Sequence, residues 1–591
     1  MKAYKTILPF IRENFWRYLA GILALCLVDI ASLLQPQLLK TFADKAQVSN
    51  LSFELVSQTA YKLFILGLLI SVGRYFWRVN IFGTARKIEY WLRKQLFNHY
   101  LCLDDAFYQD HQAGDLMAHA TNDVFMIRNS MGPGIIMIVD ASFMTLLTIF
   151  MMVRTVGFKT AAVALITLPL ITLFVFLMTK PLRQRSREVQ DYFSEMSNEV
   201  EENISAIHNI KAFNIEDNRL SSFEAINLLY QKKNISLLRL GAAFDPMISL
   251  ISGLAFVIFI LYGLHGLARS SLTLGDFIAV IQYVRLLIWP MIAMAMVVGS
   301  FQRGIASMER INEILASRPG ITEVKNPKSL DVTKLEIEFQ NVSFCYDRDQ
   351  GDVLKNISFK TNSHKSLAII GPTGCGKSTI MNLLLRRYDV SSGRILINGH
   401  DIRELALADI YRALAPVQQE SFIFQASLAE NIAFVQDAEI NLSRVKEAAS
   451  FAAIDEEINQ MADGYDSLAG ERGANLSGGQ RQRLAIARAY YQKKAILILD
   501  DALSAVDTNT EHKILVNLKD HDQGLIIVSQ RISTIQGADE ILVLESGQIS
   551  QRGKHKELMK DKSGFYARLY QRQLVEKSVE DDYREGGRSN G

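Results

Sequence analysis

The sequence predicts a multidomain chain, in which an all-α domain of six transmembrane helices is followed by an α/β domain. Six long apolar stretches precede residue 305. After residue 334 the pattern changes to short strand-like segments, one of which runs directly into a glycine-rich turn and a helix. The chain has 591 residues, of which 49% are hydrophobic and 21% charged. It is too long for one core, and its apolar share is high for a soluble protein.

The six apolar stretches cover approximately residues 18–39, 60–81, 135–156, 161–181, 246–267 and 277–298. Each is close to the ~20 residues that a helix needs to cross a bilayer. Long polar connections rich in Arg and Lys separate the second stretch from the third and the fourth from the fifth, whereas the other connections are short. The positive-inside rule therefore places the long connections and both termini in the cytoplasm.

These features divide the chain into five parts. We predict an N-terminal interfacial helix (1–17), a transmembrane domain with long cytoplasmic extensions (18–305), a linker (306–334), the α/β domain (335–575) and a tail (576–591). The tail is charged and contains Gly and Ser, which predicts disorder.

Overall charge and cysteine content exclude some classes of protein. The 64 Lys and Arg residues nearly balance the 62 Asp and Glu residues, so no nucleic-acid partner is expected. The four cysteines are scattered, without the close pairs of a zinc site or a disulfide framework.

Some ionisable residues lie in or near the apolar stretches, among them Asp29, Asp140, Asp245 and Arg285. Charge in hydrocarbon is unfavourable, so such groups usually face the bundle interior or a water-filled cavity. They predict a substrate pathway. Structural ion pairs, or positions nearer the helix ends, are the alternative.

Residues 371–379 read GPTGCGKST and follow a short apolar strand, the context of a triphosphate-binding loop. Its backbone N–H groups and the positive end of the following helix attract phosphates. The Lys ammonium reaches the terminal phosphates, and the first hydroxyl after it binds Mg²⁺. The predicted ATP-binding residues here are Gly371, Pro372, Thr373, Gly374, Cys375, Gly376, Lys377, Ser378 and Thr379, with Ser378 also a metal ligand.

About a hundred residues later, residues 476–483 read LSGGQRQR, a glycine-rich turn before a helix. The two motifs together resemble the nucleotide-binding domain of the ATP-binding cassette family. Six spans with two long extensions resemble the membrane domain of an exporter-type half-transporter of that family. The resemblance covers about residues 10–575 and implies an α/β P-loop ATPase domain with a helical subdomain, which uses ATP and Mg²⁺.

The resemblance also assigns roles outside the phosphate loop. Tyr346 would stack on adenine, although a strand-end core tyrosine is the alternative. Gln419 would sense Mg²⁺, with Gln418 as the neighbouring alternative. Asp500, at the end of the apolar strand AILILD, would hold the metal. Coupling helices are expected near 107–115 and 215–223, and residues 504–507 would connect the two ATP sites of a dimer.

Two residues depart from the family pattern. Asp501 stands where the family has the glutamate that positions the attacking water, and Gln530 stands where it has histidine. Aspartate reaches about 1.5 Å less far, and a displacement of about 1 Å can cost roughly a hundredfold in rate. Glutamine cannot carry the imidazolium charge. Both changes predict a site that binds ATP and hydrolyses it slowly.

The signature, residues 476–480, is intact. In the family this motif completes the ATP site of the other subunit. Ser477, Gly478, Gly479 and Gln480 are therefore predicted to bind the partner's nucleotide. A heterodimer with a half-transporter carrying Glu and His is expected, and a homodimer remains possible.

The predicted function is ATP-dependent export of small amphipathic compounds by alternating access. The pattern resembles the degenerate-site subunit of bacterial heterodimeric multidrug exporters. This implies a multi-pass protein of the inner membrane, in contact with the lipid bilayer, with its nucleotide-binding domain in the cytoplasm. A lipid or peptide translocator of the same architecture is the alternative, followed by a nucleotide-gated channel or regulatory subunit.

Overall fold

The computed structural model describes residues 3–48, 52–268, 272–347, 351–434, 439–519 and 523–586. The chain folds as two compact units. The first comprises Met1–Leu103 and His111–Arg318, and the second comprises Asp104–Asp110 and Pro319–Gly591. A short segment of the first long connection thus belongs to the second unit.

The first unit is helical. It opens with a 3₁₀ turn, Ala3–Ile7, and α1, Leu8–Glu13. Its long helices are α2 (Phe15–Val48), α3 (Phe53–Tyr100), α8 (Thr145–Leu165), α9 (Leu168–Ser205), α11 (Glu216–Ala242), α12 (Phe244–Ala268) and α13 (Leu274–Ala316). Shorter helices are α5 (Ala113–Ala118), α6 (Val124–Met131), α7 (Pro133–Val139) and α10 (Ile207–Phe213), with π-helical turns at His119–Asp123 and Asp140–Met144. Helix α4, Asp105–Asp110, belongs to the second unit.

By length and composition, five described helical stretches can cross a membrane: Phe15–Gln47, Phe53–Tyr100, Ala113–Ser205, Glu216–Gly263 and Leu274–Ala316. The third has 93 residues, far more than one crossing requires. Both Asp140 and Thr172 bond to the same part of α13, at Trp289 (3.0 Å) and Met291 (3.3 Å). In one continuous helix they would lie about 48 Å apart.

The chain therefore reverses between those two contacts. Gly157 lies near their midpoint and has non-helical backbone angles, φ 78 and ψ 163. Because φ in this range suits glycine, it allows the reversal where a larger residue would be strained. The reversal divides the third stretch into two parts, so the five stretches are compatible with six crossings, and the number of crossings stays a prediction.

The second unit is an α/β domain with two sheets. The larger sheet has the order β10-β9-β3-β8-β7-β6, and its strands are parallel except for β10. Its strands are β3 (Ser366–Ile370), β6 (Leu414–Val417), β7 (Ile496–Asp500), β8 (Gly524–Val528), β9 (Glu540–Glu545) and β10 (Gln548–Gly553). An antiparallel sheet, order β2-β1-β4-β5, contains β1 (Glu336–Phe344), β2 (Leu354–Asn362), β4 (Ser392–Ile397) and β5 (His400–Asp401).

Helices complete this unit. They are α14 (Lys377–Leu384), α15 (Leu407–Ala413), α16 (Leu428–Ala433), α17 (Leu442–Phe451), α18 (Asp455–Asn459), α19 (Gly478–Tyr491), α20 (Thr508–Lys519), α21 (Ile532–Ile535), α22 (His555–Leu558) and α23 (Phe565–Gly586). Helices α16 to α19 lie between β6 and β7 in the chain and form the helical subdomain. One apolar core joins this subdomain to the parallel sheet, which places the motif residues at the strand ends.

Two predicted boundaries differ from the structure. Helix α13 continues to Ala316, into the predicted linker, because Ile311 and Ile314 are buried on its inner side. The predicted disordered tail is helical as far as Gly586, since residues 576–585 contain good helix formers and no Pro or Gly. Residues 587–591 lie outside the described part of the chain.

Candidate nucleotide-binding site

The phosphate loop joins strand β3, inside the parallel sheet, to helix α14. Gly374 and Gly376 have positive φ angles of 80 and 102, which favour glycine. At Gly371 a Cβ atom would lie 2.0 Å from the carbonyl oxygen of Leu544, so only glycine fits beside strand β9. Close backbone packing and these turns bring the loop's N–H groups to the N-terminus of α14, an arrangement that binds anions.

Lys377, the first residue of α14, is buried against this loop. Its ammonium donates to the carbonyl oxygens of Gly371 at 2.9 Å and Pro372 at 2.8 Å. Cys375 lies beneath it, and burial raises the pKa of the Cys375 thiol. The cysteine is therefore a neutral packing residue, and the lysine is the loop's cation.

Two adjacent carboxylates lie at the end of strand β7: Asp500 is its last residue and Asp501 follows it. Burial raises the pKa of Asp500, while the Ser378 hydroxyl and the Lys377 ammonium act in the opposite direction. Burial and the charge of Asp500 also raise the pKa of Asp501. Two half-buried acids beside a hydroxyl form an oxygen-rich donor set that fits Mg²⁺.

The phosphate loop and the two carboxylates line one cavity of about 380 Å³. Its lining includes Thr373, Gly374, Gly376, Lys377, Ser378, Thr379, Asp500 and Asp501, together with Tyr346, Gln419 and Gln530. The loop with its lysine and the nearby oxygen donors therefore fit a nucleoside triphosphate with its metal ion. When bound, that metal neutralises phosphate charge and polarises the bond to the terminal phosphate. The chain's own residues hold the phosphates and position groups around them.

Tyr346 is 43% exposed at the wall of this cavity. Its hydroxyl lies 3.1 Å from that of Thr379, in the first turn of α14. Phe344 and Tyr388 pack against the ring edge-on, with interplanar angles of 84° and 86°. The ring is fixed in orientation and belongs to the cavity wall, as a base-stacking aromatic requires.

Gln418 and Gln419 differ in environment. Gln419 lines the cavity. The amide oxygen of Gln418, oriented toward the guanidinium of Arg387, accepts bonds from both of its terminal nitrogens. Arg387 also pairs with Asp105 of helix α4 at 3.3 Å. Because Gln419 lines the cavity, it is better placed than Gln418 to contact a bound metal ion. Gln418 is instead linked to α4 through Arg387.

The segment Asp104–Asp110, which we call the coupling segment, overlaps the first predicted coupling helix. The Asp104 carboxylate accepts from the backbone N–H groups of Gly320 (2.5 Å) and Ile321 (3.2 Å). The second predicted tip, residues 215–223, belongs to the first unit and follows a left-handed turn at Asn214. The coupling segment therefore contacts the linker through Asp104. It also contacts Arg387 through Asp105, and Arg387 in turn binds Gln418, the residue before Gln419.

Gln530 lines the cavity, and its side-chain nitrogen lies 3.4 Å from the Thr373 hydroxyl. Gln573 of the C-terminal helix α23 holds the backbone beside it. The Gln573 amide donates to the Gln530 carbonyl at 2.8 Å and accepts from the Ile532 N–H at 2.9 Å. Sequence reasoning missed Gln573, because no motif surrounds it and the contact spans about forty residues of chain.

Arg531 was also missed. Its guanidinium donates to Glu511 at 3.1 Å and to the Ser504 carbonyl at 2.9 Å. Glu511 is almost fully buried and takes a further bond from Thr534. The loop of residues 529–531, which we call the switch loop, is thereby tied to residues 504–507.

The signature lies at the start of α19, in the helical subdomain. The Ser477 hydroxyl accepts from the Gln480 N–H at 3.2 Å, and the Gln480 side chain accepts from the Ser477 N–H at 2.8 Å. Gly478 and Gly479 occupy the first turn. Among the described residues that line the cavity, none comes from the signature. At this capped helix start Ser477 is exposed, and Gly478, Gly479 and Gln480 are half-buried.

The four ionisable residues predicted in the membrane domain separate into two pairs. Asp29 and Asp140 line the same cavity of about 500 Å³. Asp245 and Arg285 are exposed, and neither is among that cavity's lining residues in the described part of the chain.

Comparison with known proteins agrees with both units. Residues 18–291 match the family described as ABC transporter transmembrane region, and residues 354–504 match the one described as ABC transporter. A multidrug resistance-like ATP-binding protein, MdlA, of Buchnera aphidicola is 34% identical over 98% of this chain and 100% of its own length. A probable multidrug resistance ABC transporter ATP-binding/permease protein, YheI, of Bacillus subtilis is 33% identical over 96% and 97%.

An ATP-dependent lipid A-core flippase of Nitrosococcus oceani is 32% identical, over 97% of this chain and 96% of its own length. A bacterial Atm1-family ABC exporter, whose structure was solved with ATP bound, shares the fold with a TM-score of 0.76 at 24% identity. It covers 95% of this chain and 98% of its own. The chain therefore belongs to the ABC exporters, ATP-hydrolysing transporters in which a transmembrane region is fused to a nucleotide-binding domain.

Proposed function

We propose that this chain is the hydrolysis-impaired half of a heterodimeric multidrug-type exporter, which moves amphipathic compounds across the cytoplasmic membrane by alternating access. The observation that carries the proposal is the pair of Asp501 and Gln530 in one cavity, in place of glutamate and histidine. Relatives named for multidrug resistance support the cargo class.

The chain's own residues supply the binding half of the reaction. The phosphate loop and Lys377 hold the phosphates, Ser378 and Asp500 hold Mg²⁺, and Tyr346 stacks on the base. Asp501 is the group placed to accept the proton of an attacking water, but its carboxylate is one methylene short. Nucleotide binding thus proceeds normally while hydrolysis is slow.

The intact signature supports the pairing. Ser477 and Gln480 are joined by two hydrogen bonds, Ser477 is exposed, and Gly478, Gly479 and Gln480 are half-buried, so this helix start can complete the site of a second subunit. That second site, with glutamate and histidine, would hydrolyse ATP quickly. The Arg and Lys excess in the long connections supports a cytoplasmic nucleotide-binding domain and an inner-membrane location.

The test compares ATP hydrolysis by this chain purified alone with hydrolysis by the complex formed with a half-transporter that carries Glu and His. We expect slow turnover alone, fast turnover in the complex, and uptake of an amphipathic dye into inside-out vesicles by the complex. Brisk hydrolysis and transport by the isolated chain would refute the heterodimer.

Lipid translocation is the second candidate, because relatives of this length are named lipid A-core flippases. Reconstituted vesicles with labelled lipids separate the candidates. ATP-dependent movement of lipid between leaflets, without dye transport, would favour the flippase.

A further inference from the structure

Tyr388 packs beside Tyr346, the aromatic residue in the wall of the nucleotide cavity. The two rings meet edge-on, with their centres 5.2 Å apart and an interplanar angle of 86°. Phe344 contacts both rings, with centres 4.9 Å from Tyr346 and 5.6 Å from Tyr388. Edge-to-face contacts favour one relative orientation of aromatic rings. A base that fixes the Tyr346 ring therefore also fixes the ring of Tyr388.

The hydroxyl oxygen of Tyr388 is buried and has no hydrogen-bond partner among the described residues. Buried hydroxyl groups are normally hydrogen-bonded, and an exception in a folded protein requires an explanation. Because no bond is made, removal of this hydroxyl with the ring kept should not weaken the fold. A partner that approached the hydroxyl, by contrast, would gain a hydrogen bond in a buried environment.

The coupling segment carries two carboxylates within electrostatic range of this hydroxyl, Asp104 and Asp105. Burial raises the pKa of Tyr388, and the negative charges of Asp105 and Asp104 raise it further. The hydroxyl therefore keeps its proton at neutral pH and is a donor with acceptors nearby. The coupling segment thus holds the acceptors that this donor needs.

Asp105 is better placed than Asp104 to accept from the tyrosine hydroxyl. The Asp104 carboxylate is held by the backbone N–H groups of Gly320 and Ile321, at 2.5 and 3.2 Å. Asp105 pairs with Arg387 through its Oδ2 atom at 3.3 Å, and its side chain is 48% exposed. A carboxylate has acceptor sites on both oxygens. Asp105 can therefore accept from the tyrosine while it keeps this ion pair.

We propose that Tyr388 is a positioning residue that links a base stacked on Tyr346 to the coupling segment, by donating its hydroxyl to the Asp105 carboxylate. The base orients the Tyr346 ring, Tyr388 follows it, and the bond to Asp105 orders the coupling segment. This role rests on the proposed stacking of adenine on Tyr346 and is independent of cargo and of the partner subunit. The base, and not the phosphates, is the part of ATP that reaches the coupling segment by this route.

The test compares the non-hydrolysable ATP analogue AMP-PNP with inorganic tripolyphosphate, which offers phosphates to the same loop and has no base. Each is given at saturating concentration with Mg²⁺ to the full chain in lipid nanodiscs. Amide hydrogen exchange is measured by mass spectrometry on peptides that cover Asp104–Asp110. We expect AMP-PNP to slow exchange there about fivefold more than tripolyphosphate does, the effect of one additional hydrogen bond on local opening.

Tyr388→Phe keeps the ring and removes the hydroxyl. It should leave the melting temperature unchanged and AMP-PNP affinity within about twofold of the wild type, yet abolish the extra protection by AMP-PNP. A merely structural role of Tyr388 would not separate these readouts. Tyr566→Phe removes a tyrosine hydroxyl that lies 2.8 Å from His555 in the same unit, and this matched control should keep the extra protection.

Two results would overturn this role of Tyr388. One is full protection of the coupling segment by AMP-PNP in Tyr388→Phe, and the other is equal protection by AMP-PNP and tripolyphosphate in the wild type. Asp105→Ala is the second variant, for the case that Tyr388→Phe does not fold, and it should also lose the extra protection. The double variant should lose nothing more, so additive losses would count against a bond between these two residues.

Tyr346→Ala separates this role from the proposed base stacking. It should weaken AMP-PNP binding and leave tripolyphosphate binding unchanged. If AMP-PNP binding is not weakened, the stacking itself fails. If binding is weakened but Tyr388→Phe keeps the extra protection, the stacking stands and the link through Tyr388 fails. Dye transport enters neither readout, so the proposed export can fail while the link stands.

Discussion

Replacing Asp501 by glutamate should raise the rate of ATP hydrolysis at this chain's own site by about tenfold to a hundredfold. The added methylene advances the carboxylate by about 1.5 Å, and a misplacement of about 1 Å costs on the order of a hundredfold in rate. The lower limit allows for the contribution of Gln530, which the substitution leaves in place.

The backbone geometry supports this size of effect, because the Cα atom of Asp501 cannot move forward to compensate. Its N–H donates to the Val528 carbonyl at 2.9 Å, and its own carbonyl accepts from the Ser504 hydroxyl at 2.9 Å. The residue has a φ of 47, a conformation in which aspartate is enriched. We therefore expect Asp501→Glu to lower the melting temperature slightly even as it raises the rate.

The assay is single-turnover hydrolysis by the complex with a partner whose own catalytic glutamate has been changed to glutamine. The remaining turnover then belongs to this chain's site. Asp501→Asn is the matched control: it keeps the shape, removes the base and should abolish the residual rate. Gln530→His alone should raise the rate, and the double variant should exceed either single one.

Two outcomes would refute the reasoning. If Asp501→Asn hydrolyses ATP as fast as the wild type, Asp501 does not act on the water at all. If Asp501→Glu leaves the rate unchanged while Gln530→His raises it, the length of the carboxylate is not the limiting feature.

Three further predictions concern hydrogen bonds around the site. Burial acts to raise the pKa of Glu457, but its bonds to Arg483 (2.6 and 3.0 Å) outweigh this and hold the pKa below the usual 4.5. Glu457→Gln should therefore lower the free energy of unfolding by about 1 kcal/mol at neutral pH, a value reduced because Glu457 is partly exposed. In thermal melts the difference in stability between the wild type and the variant should shrink as pH falls below 4.5. Gln573→Ala should speed amide hydrogen exchange in the switch loop about fivefold to thirtyfold, because the variant loses two hydrogen bonds of about 1 kcal/mol each. Gln573→Glu keeps the acceptor oxygen and should have a smaller effect. Arg387→Ala should leave ATP binding intact but reduce the stimulation of ATPase activity by transported dyes, because it removes the ion pair between Arg387 and Asp105 of the coupling segment. Full stimulation in the variant would show that this ion pair does not couple transport to hydrolysis.

The sequence predicted the order of domains and the residues of the phosphate loop because both depend on local signals. Apolar runs of about twenty residues and a strand–glycine–helix pattern need no tertiary information. Helix ends were less predictable. Helix α13 continues to Ala316 because Ile311 and Ile314 find a buried environment, which composition alone does not reveal.

Contacts between distant segments could not be read from the sequence. The pairing of Gln573 with the switch loop, and of Arg387 with the coupling segment, joins residues far apart in the chain and surrounded by no motif. The same is true in the membrane domain. The sequence did not distinguish Asp29 from Asp245, yet Asp29 on α2 is buried and Asp245 on α12 is exposed.

The signature helix and the water-positioning acid are connected within this one chain, although they are proposed to serve different ATP sites. Gln482 of α19 donates to the Ser504 hydroxyl at 3.1 Å and accepts from the Ala505 N–H at 2.9 Å. The Ser504 hydroxyl in turn donates to the Asp501 carbonyl. If nucleotide at the proposed partner's site displaces α19, these hydrogen bonds carry the displacement to the backbone of Asp501. In the proposed heterodimer, the slow site would in this way respond to the state of the fast site.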